Sequence, residues 1–282
     1  MNAPRPGRLA QRRSRQSGVK LALLLLVAVG LAPYLFMIVT SFKSNEQFTQ
    51  NYWAPTWPLH LENFGRAWDQ VAPYLGNSLF IAIVSSALIA VIASIAAFVL
   101  SRYRFRGRGI VYGSILVLMA VPGIASLIPM FILMRDLGLL NTYAVLVIPY
   151  VASGLVLGTV IMRNTIESIP QTIYDAARVD GAGPVRLYRS ITLPLALPAV
   201  GTVSLLTLSG VWNDFFWPLL VVTDDRLRTV SVGLQFFQGQ NAIDYGPLMA
   251  GYVIASLPLV ALFVPLSKYF LAGVQGGIAG AH

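Results

Sequence analysis

Apolar residues in this chain gather into long runs, with little of the strict alternation of half-buried strands. A helix needs roughly 20 apolar residues to cross a bilayer. Six stretches pass that length and are expected as spans: 21–41, 78–100, 110–134, 142–162, 195–222 and 246–270. The pattern predicts an all-α polytopic membrane protein with six transmembrane helices. One membrane domain is expected over residues 19–282, behind a disordered basic tail over residues 1–18. Basic residues precede the first run, and Gly30-Leu31-Ala32 resembles a secretory cleavage site. However, Pro33 would follow the cut directly and the run continues through Val39, longer than a signal h-region, so it reads as a retained span.

Composition supports the pattern. Of the 282 residues, 56% are hydrophobic and 11% charged. Soluble domains carry about 25% charged residues, so this chain has too little charge to cover a surface in water.

The formal charge of +9 is sorted by loop. Arg5, Arg8, Arg12, Arg13, Arg15 and Lys20 precede the first run, and Arg102, Arg104, Arg106 and Arg108 follow the second. Arg163, Arg178, Arg186 and Arg189 follow the fourth, and Lys268 lies near the C-terminal end. Fifteen of the 20 basic residues thus fall on one side. The positive-inside rule predicts that both termini are cytoplasmic. Because the bias recurs in every second loop, the N-terminal run reads as facing lipid headgroups, and no nucleic-acid partner is expected.

Several chemistries lack their residues. There is no cysteine, the only histidines are His60 and His282, and Lys20, Lys43 and Lys268 sit outside any Gly-rich phosphate loop. No paired carboxylates or nucleophile–His arrangement is visible, so the chain is not expected to be an enzyme or to hold a metal or cofactor. In the second run Ala82, Ser86, Ala90 and Ser94 recur every fourth residue and form a smooth face. Such a face suits close packing, either within this chain or against a second membrane subunit.

The loop over residues 163–194 is too long for a connector, and long ordered loops tend to be functional. Pro170 suits a first helical turn, Tyr174 to Val179 continue it, and Gly181 with Gly183-Pro184 ends it. A second short helix follows from about Pro184 to Ile191. So small an element cannot bury all its apolar residues, so something else should cover them.

Asp175-Ala176-Ala177, then Gly181 after three residues, then Ile191-Thr192-Leu193-Pro194 after nine more, resembles the Glu-Ala-Ala loop of binding-protein-dependent ABC importer permeases. Asp175 replaces the family's Glu, which keeps the charge and shortens its reach. Trp212 to Pro218, Ser41-Phe42-Lys43, Asn77-Ser78 and the Gly-rich tail from Gly273 to Gly280 are similar to the maltose-type carbohydrate branch. The resemblance implies a type I ABC importer permease fold in a bacterial cytoplasmic membrane. It also implies a second homologous permease, two copies of an ATP-binding subunit that carry the ATP and Mg, and an extracytoplasmic sugar-binding protein. The coupling contact with the ATPase would fall on Asp175, Ala176, Ala177, Arg178, Asp180, Gly181 and Pro194, with Asp175 paired to a basic residue there.

Asp214 is the ionisable residue well inside a span, and an intramembrane acid is a functional candidate by default. With Trp212, Asn213 and Trp217 it offers polar groups beside aromatic faces, which suits a sugar. The same residues also fit helix glue, with Trp217 in the interfacial aromatic belt. In the loop over residues 223–245, the resemblance implies that Gln238, Gly239, Gln240 and Asn241 reach the binding protein; an ordinary solvated loop is the other reading. The expected function is a permease subunit of an ATP-driven carbohydrate importer, for a di- or oligosaccharide. The alternative is an ion-coupled secondary carrier, a poorer fit with one buried acid and no visible repeat.

Overall fold

The computed structural model describes residues 6–236 and 244–279. Among the described residues the secondary structure is entirely helical. α1 runs Pro6–Ser41, α2 Asn45–Gln50, α3 Glu62–Arg102, α4 Arg108–Met119, α5 Leu127–Asp136 and α6 Tyr143–Ser168. α7 runs Gln171–Val179, α8 Pro184–Leu187, α9 Leu193–Leu195, α10 Leu197–Asn213, α11 Phe216–Val221, α12 Val230–Phe236 and α13 Tyr245–Ala279.

Among the described residues four helices are long and apolar enough to cross a membrane, and two bent helix pairs would raise the number to six if each is one span. The two bent pairs fall on the expected spans over 110–134 and 195–222, which are therefore not single straight helices. α4 and the Gly123–Asp136 stretch are bent by 96°, where Pro122-Gly123 denies the helix a donor and a preferred backbone. The Pro184–Leu195 stretch and α10 are bent by 70° at Ala196, between Pro194 and Pro198. α10 then stops at Asn213, because Asp214 is extended (φ −70°, ψ 127°). The helix α1 starts at Pro6, inside the stretch expected as disordered; proline is at home in a first turn, and Leu9 to Arg13 are good helix formers.

The chain divides into two compact units, Met1–Trp68 with Gln238–Ile254, and Asp69–Phe237 with Ala255–His282. In the first unit, α1 is exposed over residues 18–35, while Phe36 packs against Phe48 and Trp53 and Thr40 and Ser41 are buried. Beyond it, Lys43 is 1% exposed and donates to the carbonyls of Asn51 (2.6 Å) and Tyr52 (3.2 Å). Burial pushes its ammonium below the usual lysine range. Asn63 donates to the carbonyls of Ser41 and Lys43 at 3.0 and 2.9 Å, and Gly246 lies so close to this pair that no side chain fits there.

The second unit holds two apolar cores. Ile89, Ala93, Met162, Ile166, Tyr174, Leu187 and Val203 belong to one; Ile81, Ala82, Leu146, Val211, Trp217 and Val221 belong to the other. Ala82, Ser86 and Ser94 are buried within the chain itself. Gly158 of α6 lets that helix approach Ile89 and Ala93. The small-residue face of α3 therefore packs inside this chain.

Candidate functional site

A proline and a helix break shape the middle of the second unit. A proline inside a helix has no N–H for the carbonyl four residues earlier. In a membrane such a carbonyl needs another donor. Pro149 in α6 leaves the Val145 carbonyl free, and the Trp217 indole N–H donates to it at 2.9 Å. Asp214 is extended between α10 and α11, so its carbonyl lies outside both helical ladders, and the Ser231 hydroxyl donates to it at 2.6 Å. The break between α10 and α11 is therefore built around these two side-chain caps.

Asp214 sits at that break. Its Oδ2 accepts the Tyr150 hydroxyl at 2.8 Å, and its Oδ1 faces the backbone N–H of Trp217 at 3.5 Å. Among the described residues no Lys or Arg forms an ion pair with it. Asp214 and Tyr150 line a concavity of about 450 Å³ together with Ser153, Gly154, Thr207, Gly210, Val211 and Asn213. That volume lies in the range of small-molecule sites. Hydroxyl, amide and carboxylate groups set in an apolar wall can exchange hydrogen bonds with a polyhydroxylated solute.

Of the four expected substrate-path residues, Asn213 and Asp214 line the concavity. Trp212 and Trp217 are each 6% exposed and belong to the packed interior, so Trp217 serves as a cap on α6 rather than as a face for a ligand or an interfacial anchor. Tyr150, Ser153 and Thr207 were not singled out from the sequence. No local signal marks them, because they are neutral residues in apolar helices; only the α6–α10 packing brings them to one wall. Gln238, Gly239, Gln240 and Asn241 lie outside the described residues.

The segment after α11 is held by side chains from α3 and from the turn before α6. Asn141 Oδ1 accepts the N–H groups of Thr223 (2.6 Å) and Asp224 (3.0 Å). Asn77 donates to the carbonyls of Arg226 and Arg228 and accepts the Tyr143 hydroxyl at 2.7 Å. Ser78 accepts the N–H of Val230 at 2.8 Å. The Arg226 guanidinium beside Asp224 holds that carboxyl below the usual carboxylate range.

The loop over residues 163–194 forms the expected helix, glycine turn and helix. Tyr174 anchors it: fully buried, it meets the Thr192 hydroxyl at 3.0 Å and lies under the Arg102 guanidinium at 4.1 Å. Gly181 takes φ +77°, and the Ala182 N–H returns to the Ala177 carbonyl at 2.9 Å, the bond of a Schellman cap. A π-helical turn, Tyr188–Thr192, carries the chain back to α9.

Asp175, Ala176, Arg178, Asp180, Gly181 and Pro194 are exposed, while Ala177 packs against the core. Asp175 accepts from Arg178 at 2.9 Å and from Gln171 at 3.0 Å, so its ion pair here is internal. Such an exposed pair is worth at most about 1 kcal/mol, and little opposes its exchange for another cation. Val179 is 88% exposed and Val185 66%, which leaves the apolar side of the turn uncovered.

This arrangement is similar to known permeases. The chain is 34% identical over 259 residues to the trehalose/maltose transport system permease protein MalG of Thermococcus litoralis, covering 90% of this chain and 93% of that one. It is 28% identical over 274 residues to the melibiose/raffinose/stachyose import permease protein MelC of Bacillus subtilis, covering 94% and 98%. Among solved structures, a chain of a bacterial ABC transporter involved in the import of the acidic polysaccharide alginate superposes with a TM-score of 0.80 at 25% identity, covering 92% of this chain and 98% of that one. The family model described as binding-protein-dependent transport system inner membrane component matches residues 88–275, and the chain belongs to that family of multi-pass membrane permeases.

Proposed function

We propose that this chain is one permease subunit of an ATP-driven carbohydrate importer, and that the Asp175–Gly181 turn couples it to a separate ATPase. The observation that carries the reading is the exposed turn after α7. Asp175, Ala176 and Gly181 of the spaced motif are presented outward, and Val179 is 88% exposed on an anchored helix. An anchored element that leaves a bare valine beside a weak ion pair is shaped to meet a partner. Sugar substrate is supported by the relatives that transport trehalose, maltose or melibiose and by the hydroxyl-rich concavity.

Moving a sugar up a thousandfold gradient costs about 4 kcal/mol, which has to come from ATP hydrolysed on the partner. The working assembly then holds a second homologous permease, two ATP-binding subunits and an extracytoplasmic binding protein, in a bacterial cytoplasmic membrane. Each bent helix pair counts as one span, for six in all, and the sorted basic loops put both termini and the Asp175 loop in the cytoplasm. A cysteine at Ala182 then resists an impermeant thiol reagent in intact cells, whereas one at Trp57 reacts.

The deciding experiment is co-purification with the ATPase subunit, followed by sugar uptake and ATP hydrolysis. Asp175→Ala removes the motif's charge, and Gly181→Val places a β-branched residue at φ +77°. Both variants should insert normally and lose ATPase binding or coupled transport. If both transport sugar like the parent, the turn is not the coupling element.

A further inference from the structure

We propose that Ser231 is a positioning residue for transport: its hydroxyl transmits movement of α12 to Asp214 and Tyr150 in the wall of the concavity. The inference rests on the reading above, in which the segment carrying α12 faces the extracytoplasmic binding protein.

The bonds around α12 define what moves with it. The Val230 N–H is bound by Ser78, and Asn77 holds the carbonyls of Arg226 and Arg228. Gly233 lies so close to the Tyr74 ring that no side chain fits between them. α12 and the adjoining turns of α3 therefore shift together.

Asp214 is the other end of the connection. Because it is extended between two helices, side chains rather than a helical ladder fix its position. Element-terminal residues of this kind absorb the φ/ψ change of a hinge. Its three acceptors lead to three elements: Oδ2 to Tyr150 on α6, Oδ1 to the N–H of Trp217 on α11, and the carbonyl to Ser231 on α12. The Ser231 bond exists because the extended Asp214 leaves its carbonyl outside both helical ladders, so the break itself supplies the acceptor that links it to α12. Moving Ser231 pulls on the Asp214 backbone. The carboxylate then re-aims against Tyr150, which alters the donors and acceptors offered to the solute.

The test uses the whole importer in proteoliposomes, with the binding protein encoded beside it. The chain has no cysteine, so Asn213→Cys carries a single environment-sensitive fluorophore on the concavity wall. In the parent, the binding protein should change the emission and stimulate ATP hydrolysis. Ser231→Ala should shrink the emission change and cut the stimulation factor about fivefold, the loss of one neutral hydrogen bond of ~1 kcal/mol at ~1.4 kcal/mol per tenfold. Ser231→Thr should restore both signals, whereas Ser231→Val, of the same shape without the hydroxyl, should not. Combining Ser231→Ala with Tyr150→Phe should be no worse than the worse single change. Parent-like signals in Ser231→Ala, or equal behaviour of the Thr and Val variants, overturn the inference alone. A parent that responds to the binding protein in neither signal overturns the docking reading, and the inference with it.

Discussion

Two stretches of the second unit hold their backbone in different ways. Between Asp214 and Phe236, backbone groups are taken up by side chains: Asn77 and Ser78 of α3, Asn141 of the turn before α6 and Ser231 of α12 all bond main-chain atoms there. Val230, Val232 and Leu234 are buried. Between Arg163 and Pro194 the anchoring is concentrated on Tyr174, Arg102 and Thr192, while Val179 and Val185 stand in the open. The first stretch has its main-chain groups tied to this chain's own side chains, although Phe216 at the start of α11 is 72% exposed. The second is held rigid but left uncovered, as expected of a surface that another subunit completes.

The largest way to break this contrast is Val179→Asp. If a partner covers this position, a carboxylate there is buried without a counter-charge, which costs several kcal/mol. ATPase co-purification should then weaken by about 100-fold or more. The isolated chain should unfold as before, because Val179 is 88% exposed in it. Retained co-purification would show that nothing covers this side chain.

Asn77→Ala should do the reverse. It strips a partner from two carbonyls and from the Tyr143 hydroxyl. Unpaired buried groups cost ~1–3 kcal/mol each, less where water reaches them. A loss of about 2 kcal/mol would lower the unfolding temperature of the isolated chain by roughly 4–8 °C, with ATPase binding kept. An unchanged unfolding temperature would mean that the Asn77 bonds are not what holds this stretch.

The smallest effect belongs to the surface Asp224–Arg226 pair, in which Arg226 is 88% exposed and Asp224 half-buried. The folded carboxyl titrates below its ordinary value of 3.8, so whatever the pair contributes is present above 3.8 and is lost as pH falls through the lower folded value. Arg226→Gln should lower the unfolding temperature slightly at neutral pH, and the difference should close on acidification. A difference that persists in strong acid would assign it to packing.

Much of this was legible in the chain. Apolar runs located the helices because a membrane helix must be apolar along its whole length. The glycine turn was readable because only a residue free to adopt positive φ suits that place, and Gly181 has φ +77°. Asp214 was readable as an acid in an apolar context. The bends at Pro122 and Ala196 were missed because hydropathy averages over a window and ignores the donor that a proline removes.

The sequence by itself determined where the prolines lie, and therefore which carbonyls lose their helical donors. Only the tertiary structure decided what replaces those donors. Trp217, 72 positions away, caps the carbonyl that Pro149 leaves free, and Ser231 holds a carbonyl 17 positions away at the break after α10. No local pattern specifies such partners, since any side-chain donor brought within hydrogen-bond reach would serve. Tertiary packing therefore assigned Trp217 to structure, left Asp214 facing the concavity, and placed Tyr150 beside it.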